Sequence, residues 1–244
     1  MKIIGVIPAR YSSSRLPGKP LADIHGKPMV WWVYQQAVLV EQFADVIIAT
    51  DDIRIKEVCA SLDLKFIMTS KSTPNHIHRI WEVSEKITAD FYVSINGDEP
   101  LILPENIRQA IPEKNEQNRP YFGSVYRELN DPAELLDPAN VKIVLGNKGQ
   151  CLYQSRNPIP YPKGSLLFKY KKAVGIECFN KQALDFFVKS PIGELEYIED
   201  IDHLRFLENG IPIVYRKINS DSLSVDTPND LEKVRKIVEK RLDI

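Results

Sequence analysis

No apolar run in this sequence approaches the roughly 18 to 20 residues that cross a bilayer; Ile3 to Pro8 and Val46 to Ala49 are among the longest. That excludes a simple membrane-spanning helix. Charge of one sign is also missing. The chain carries 32 Lys and Arg against 33 Asp and Glu, a formal net charge of −1. No global field therefore draws it to nucleic acid or to an anionic membrane, and any anion it binds must be held locally. The three cysteines, Cys59, Cys151 and Cys178, show none of the close spacing that metal sites or redox pairs use. They read as small buried apolar residues of a reducing compartment. The N-terminal residues read as a strand, with no charged leader followed by an apolar segment and a cleavage site, so the expectation is a cytoplasmic protein. Neither GxxxxGK[ST] nor GxGxxG occurs, which argues against a P-loop ATPase and a dinucleotide oxidoreductase.

What is present is alternation. Lys2 to Pro8 is an apolar run bounded by proline and a serine-rich stretch, as a buried parallel strand should be. Met29 to Phe43 has helical spacing, Asp45 to Thr50 is a second strand, and Ile53 to Leu62 is a helix. A strand at Lys65 to Met68, a helix at Arg79 to Ile87 and a strand at Asp90 to Ile95 follow. This order predicts an α/β fold with a doubly wound, mostly parallel sheet, whose ligands sit beyond the carboxyl ends of the strands. Tyr121 to Glu128, Val141 to Leu145, a turn at Gly146 to Gly149 and Cys151 to Arg156 read as antiparallel strands with a hairpin. Pro158 to Lys172, rich in Pro, Lys and Tyr, reads as an excursion. We expect one domain over 1–244, with 146–175 as a small antiparallel arm suited to dimerisation. Helices are expected at Lys181 to Lys189, Glu196 to Asn209 and Pro228 to Arg241, and an edge strand at Ile213 to Lys217. Trp31, Trp32 and Trp81 fall inside helical patterns, where packing is their ordinary use.

Between the first strand and the first helix lies Ala9-Arg10-Tyr11-Ser12-Ser13-Ser14-Arg15-Leu16-Pro17-Gly18-Lys19-Pro20. Three cations, three hydroxyls and a glycine after a strand end are what a triphosphate site needs, although a solvated basic loop has the same composition. Asp98, in Asn96-Gly97-Asp98-Glu99-Pro100, follows an apolar strand and faces the same crevice, a suitable place for a magnesium ligand. Asp226 is a second candidate, but an aspartate before Thr-Pro and a helix is also a common N-cap.

The segment IPARYSSSRLPGKPLADIHGKPM, Ile7 to Met29, resembles the 3-deoxy-D-manno-octulosonate (KDO) cytidylyltransferases. The resemblance continues through ATDD at Ala49 to Asp52, GDEP at Gly97 to Pro100, PANVKIV at Pro138 to Val144 and LYQSRNPIPYP at Leu152 to Pro162. It ends with VGI at Val174 to Ile176, HLR at His203 to Arg205 and VDTPNDLEKV at Val225 to Val234. It implies a Rossmann-like nucleotide-diphospho-sugar transferase fold, a homodimer, and transfer of CMP from CTP to the anomeric hydroxyl of an acidic sugar, with pyrophosphate leaving. By the same resemblance Asp98 and Asp226 hold Mg2+, and Arg10, Arg15 and Lys19 grip the phosphates and share the catalytic work with the two aspartates. Ala9, Arg10, Ser13, Arg15, Lys19, Asn96 and Gly97 would contact CTP.

The family pattern breaks in a cluster. After Met68-Thr69 the family's His-x-Ser-Gly-Thr-Glu-Arg is replaced by Thr73-Pro74-Asn75-His76-Ile77-His78-Arg79, with Arg79 alone matching. Asn96 stands for Gln, Ala173 for the His before Val-Gly-Ile, Glu177 for the Tyr after it, and Glu194-Leu195-Glu196 for Pro-Leu-Glu. These segments point to the acceptor, with His76, His78, Arg79, Arg156, Glu177, Glu196 and Glu199 as its candidate partners. Arg79 and Arg156 suit a carboxylate, and Glu196 and Glu199, on one helical face, suit hydroxyls. Two other readings stay open: a different acceptor, such as an amino-modified KDO, a sialic-type acid or a phosphorylated small molecule, and a non-catalytic sugar-nucleotide-binding protein.

Overall fold

The computed structural model of the chain describes residues 1–12, 16–114, 117–219 and 223–242. They fall into two compact units, residues 1–108 with 220–244, and residues 109–219.

The first unit begins with β1 (Ile3–Ala9), whose residues are nearly all buried, as the apolar run requires. A single 3-10 turn at Lys19–Leu21 leads into a short hairpin, β2 (Asp23–Ile24) and β3 (Lys27–Pro28), turned through His25 and Gly26, both at positive φ. Helix α1 (Met29–Ala37) buries Met29, Val30, Val33, Tyr34 and Ala37. It stops earlier than its periodicity predicts. Beyond Ala37 the chain makes tighter turns, Val40 N to Ala37 O and Phe43 N to Val40 O, and the Ala44 amide then bonds Ile3 O. Next come β4 (Asp45–Thr50), α2 (Ile53–Ser61), β5 (Phe66–Met68), α3 (His76–Lys86), β6 (Phe91–Ile95) and α4 (Pro104–Arg108). Asp52 caps α2 and Asn75 caps α3, each accepting from the amide two or three residues on. Ile77, Ile80 and Val83 form the buried face of α3; each such aliphatic side chain contributes about 1.5–3 kcal/mol on burial.

Strands β6, β1, β4 and β5 lie side by side in that order, all parallel. The chain therefore steps outward from β1 to β4 and β5, then returns to the other side of β1 to lay down β6. With right-handed crossovers that reversal sends α1 and α3 to opposite faces. It also opens a crevice beyond the carboxyl ends of β1 and β6, the place where such sheets bind ligands.

In the second unit β7 (Phe122–Glu128) is followed by α5 (Pro132–Leu136), β8 (Lys142–Leu145) and β9 (Cys151–Ser155). Strands β8 and β9 form the expected antiparallel hairpin. The sequence gives no warning of the next strand, β10 (Lys171–Phe179), which runs antiparallel to β7 with a bulge between Val174 and Glu177. Two lysines, a glycine and that bulge spoil the alternation by which it could be recognised. Helices α6 (Lys181–Lys189), α7 (Glu194–Glu199) and α8 (Leu204–Glu208) and strand β11 (Ile213–Lys217), parallel to β7, complete this unit. The single helix expected over Glu196 to Asn209 is in fact two. Asp200 takes a left-handed conformation (φ 52°), and Arg156 donates to the carbonyls of Glu199 and Asp200 at the end of α7.

The chain rejoins the first unit with α9 (Pro228–Leu242). Leu231, Val234 and Val238 pack with Ile24, Met29, Leu101 and Val225, and Trp32 lies against this cluster with its indole nitrogen donating to Ile24 O at 3.0 Å. No helix among the described residues is long and apolar enough to cross a membrane.

Cys59, Cys151 and Cys178 are free and buried. Burial pushes the Cys59 thiol up to about 11 and Cys151 to about 12, and raises Cys178 as well. All three should stay protonated and unreactive at pH 8. We expect a thiol-reactive dye to label the native protein at a negligible rate and to label three thiols after denaturation; rapid native labelling would contradict this packing.

Candidate active site

The first unit brings the end of β1, the basic loop, the loop after β6 and the segment before α9 together. Gly97 makes this approach feasible: a Cβ there would lie 3.1 Å from the carbonyl oxygen of Pro8. The Val225 amide donates to Asp98 O at 2.8 Å, which sets Asp226 beside Asp98. Lys19 Nζ donates to Asp98 Oδ2 at 2.7 Å and to Asp226 Oδ1 at 3.2 Å. Burial acts to lower the Lys19 pKa, but the charge and hydrogen bond of Asp98, and then those of Asp226, outweigh it and raise the pKa. Lys19 is thus a fixed cation throughout the neutral range.

Asp226 does not serve as a helix cap. Thr227 and Asp230 form a reciprocal pair: the Thr227 amide and hydroxyl donate to Asp230 Oδ2, at 3.1 and 2.7 Å, and the Asp230 amide donates to Thr227 Oγ1 at 3.3 Å. This capping box leaves the Asp226 carboxylate to the crevice. Asp98 Oδ1 is buried and has no hydrogen-bond partner among the described residues. A buried carboxylate oxygen without a donor is costly unless a cation serves it. Two converging carboxylates, one with such an oxygen, make a hard-oxygen donor set of the kind magnesium takes.

Around this centre, Arg10 is half-exposed and donates to Pro74 O at 3.3 Å, which places it beside the segment leading into α3. Ala9 ends β1 opposite Thr50, and Asn96 follows β6, partly exposed. Ser13 and Arg15 lie outside the described residues.

The acceptor candidates are placed as follows. His76 and His78 are not on a loop, as their sequence context suggested, but on the first turn of α3. Asn75 supplies the cap and accepts from both the amide (3.1 Å) and Nδ1 (2.8 Å) of His78. Arg79 is fully buried, ion-paired to Asp51 at 3.2 Å and hydrogen-bonded to Thr69 Oγ1.

In the second unit, Arg156 spends its donors on Glu199 O (2.7 Å), Pro138 O (3.0 Å) and Asp200 O (2.6 Å), so its guanidinium ties loops together. Glu199 accepts from Ser155 Oγ and the Arg156 amide. Glu196 is buried and grips Arg205 through both oxygens, at 2.5 and 2.6 Å. Glu177 is buried on β10, 2.8 Å from His203 Nε2. His203 Nδ1 lies 3.2 Å from Gln154 Oε1, and Gln154 donates to the Tyr215 hydroxyl. Sequence reasoning assigned no role to this histidine, glutamine and tyrosine; nothing in their spacing links positions 154, 203 and 215. It also passed over Lys142, which is fully buried, donates to Asp137 O at 2.9 Å and has its pKa pulled down by burial.

Comparison with known proteins gives one family and one architecture. A family described as "Cytidylyltransferase" matches residues 4–218. The chain is 37% identical over 241 residues to the 3-deoxy-manno-octulosonate cytidylyltransferase of Escherichia coli, covering 99% of this chain and 98% of that one. It is 36% identical over 248 residues to the 8-amino-3,8-dideoxy-manno-octulosonate cytidylyltransferase of Shewanella pealeana, covering both in full. A solved structure of CMP:2-keto-3-deoxy-manno-octonic acid synthetase complexed with CTP superposes with a TM-score of 0.93 at 37% identity, over 99% of this chain and 100% of that one. The inositol-1-phosphate CTP transferase of T. maritima, 15% identical with a TM-score of 0.69 over 97% of this chain and 95% of that one, shares the fold.

The capping and crevice roles of neighbouring residues can be separated by denaturation. Thr227→Ala should lose about 1 kcal/mol of stability, whereas Asp226→Asn should lose less, because it removes one of two adjacent like charges. Equal losses in urea titrations of the two variants would mean that Asp226 supports the helix after all.

Proposed function

The chain belongs to the 3-deoxy-manno-octulosonate cytidylyltransferases of the cytidylyltransferase family, and from that premise we propose that it joins CMP from CTP to the anomeric hydroxyl of an acidic eight-carbon sugar. The observation that carries the reading is the Lys19, Asp98 and Asp226 cluster at the strand-order reversal beside β1 and β6. The acceptor oxygen forms a bond to the α-phosphorus, the bond from that phosphorus to the bridging oxygen breaks, pyrophosphate leaves and the hydroxyl proton passes to solvent. Arg10 and Lys19, with Arg15, hold the β- and γ-phosphates and stabilise the charge that departs on them. Lys19 offsets one of the two carboxylate charges as it stands and can exchange either partner for a phosphate oxygen. Ala9, Asn96 and Gly97 line the nucleotide side. Asp98 and Asp226 would hold magnesium, which when bound lowers the pKa of the attacking hydroxyl and neutralises phosphate charge.

For the acceptor, His76 and His78 in the first unit and Glu177 in the second each stand where the sequence leaves the pattern of its family. The relative that acts on an 8-amino sugar is as similar as the one that acts on the parent sugar, so both acceptors belong in the test. The product would serve surface polysaccharide synthesis in the cytoplasm. A homodimer fits the bare apolar side chains of the second unit, Leu166 and Leu167 in the segment before β10 and Tyr197 and Ile198 on α7, and light scattering reports it directly.

With CTP, magnesium and either sugar, we expect one pyrophosphate per CMP-sugar formed, and loss of turnover with chelator. Lys19→Ala and Asp98→Asn should each lower kcat by about 100-fold or more, the scale of losing one charge-stabilising group in a transition state. Absence of turnover across an acceptor panel would leave only the nucleotide-binding reading, and an unchanged kcat in Lys19→Ala would remove the loop from the chemistry.

A further inference from the structure

The two ends of the basic loop are clamped by a residue outside it. The Gly18 amide donates to Tyr11 O at 2.9 Å, so the loop closes on itself one residue before Lys19. Gly18 is left-handed (φ 71°), and a Cβ there would stand 3.2 Å from the Tyr11 ring. One edge of Tyr11 is therefore packed against the loop's own exit. The ring is also covered by Arg54, whose guanidinium carbon lies 3.2 Å from the ring centroid. Arg54 is held in turn. Its Nε and one terminal nitrogen donate to the two carboxylate oxygens of Asp52 at 2.9 and 2.7 Å, and its amide donates to the same carboxylate, which caps α2.

A continuous physical chain thus runs from the N-terminus of α2 through Asp52, Arg54, the Tyr11 face and Gly18 to Lys19. A stacked, bidentate guanidinium restricts an aromatic ring more than a point charge does, because its plane and two of its hydrogen bonds are already fixed. The flanks of Tyr11 and Gly18 are the phosphate-binding groups themselves, Arg10 on one side and Lys19 on the other. Ordering flexible groups upon binding costs affinity, so holding Arg10 and Lys19 in place beforehand favours the triphosphate.

We propose that Arg54 and Tyr11 are positioning residues for the triphosphate: the stacked pair preorders the loop so that Arg10 and Lys19 meet the phosphates without first being ordered. This rests on the proposed nucleotidyl transfer. Arg54 touches neither substrate; it acts through Tyr11.

The test measures CTP binding by calorimetry in the presence of magnesium, alongside steady-state kinetics, for wild type, Arg54→Ala, Arg54→Lys, Tyr11→Ala and Tyr11→Phe. Arg54→Ala and Tyr11→Ala should weaken CTP binding and raise its KM by about 3- to 5-fold, the scale of one exposed stacked cation, with KM for the acceptor unchanged. Tyr11→Phe should stay close to wild type, since the ring face that Arg54 covers is kept. Arg54→Lys should fall between wild type and Arg54→Ala. Unchanged CTP affinity in Arg54→Ala would overturn the proposal, as would equal rises in both KM values, which would signal general loosening of the fold. Wild type that binds CTP without turning over any acceptor would refute the transfer reading while leaving the clamp to be judged by calorimetry.

Discussion

One ammonium between two carboxylates is the interaction on which the active crevice depends. Lys19 is 79 residues from Asp98 and 207 from Asp226 in sequence, yet it hydrogen-bonds both. Two carboxylates this close repel each other, and a partly buried pair is screened less than a surface one. A cation must sit with them whether or not nucleotide is bound. The protein supplies one of its own on the loop that we assign to the triphosphate, so a single charge both holds the two carboxylates together and is at hand for the phosphates. Asp226 immediately precedes the Thr227 and Asp230 capping box, so the crevice and the start of α9 adjoin in sequence while different side chains serve each.

This explains why the strand order matters more than any one strand. Had β6 been added beyond β5 in the order of synthesis, its carboxyl end would lie three strands from β1 and Asp98 could not reach Lys19. The reversal makes β6 the neighbour of β1, and Gly97 lets the following loop pass against Pro8 O. Local sequence then needs to provide only the right residue at each strand end. That is why the first unit was legible. Apolar runs ending before Arg10, Asp51 or Asp98 announce the strands and the loops that follow them.

The second unit was less legible for a specific reason: its polar residues are used to build structure. Arg156 and Glu196 have the residue types of ligands, and sequence reasoning took them as such. The folded chain engages Arg156 with three carbonyl oxygens and Glu196 with Arg205, because ends of short helices such as α7 leave backbone groups that must be satisfied. Arg79 in the first unit is paired with Asp51 and Thr69, but its Nε is buried without a hydrogen-bond partner among the described residues. Nothing at the level of spacing distinguishes an arginine that will meet a substrate from one that will meet a carbonyl. Strand β10 was hidden by its bulge, and α3 began three residues early because Asn75 is the better cap.

Glu177 shows how far such substitutions propagate. A buried carboxylate is tolerated only with a donor in reach, and His203 provides it at 2.8 Å while its other nitrogen faces Gln154. Glu177 thereby joins a buried hydrogen-bonded set that runs through His203 and Gln154 to the Tyr215 hydroxyl. Buried polar networks stabilise only when every member is satisfied. A Glu177→Tyr change would take the carboxylate away from His203 and so disturb a set that spans β9, β10, β11 and the start of α8.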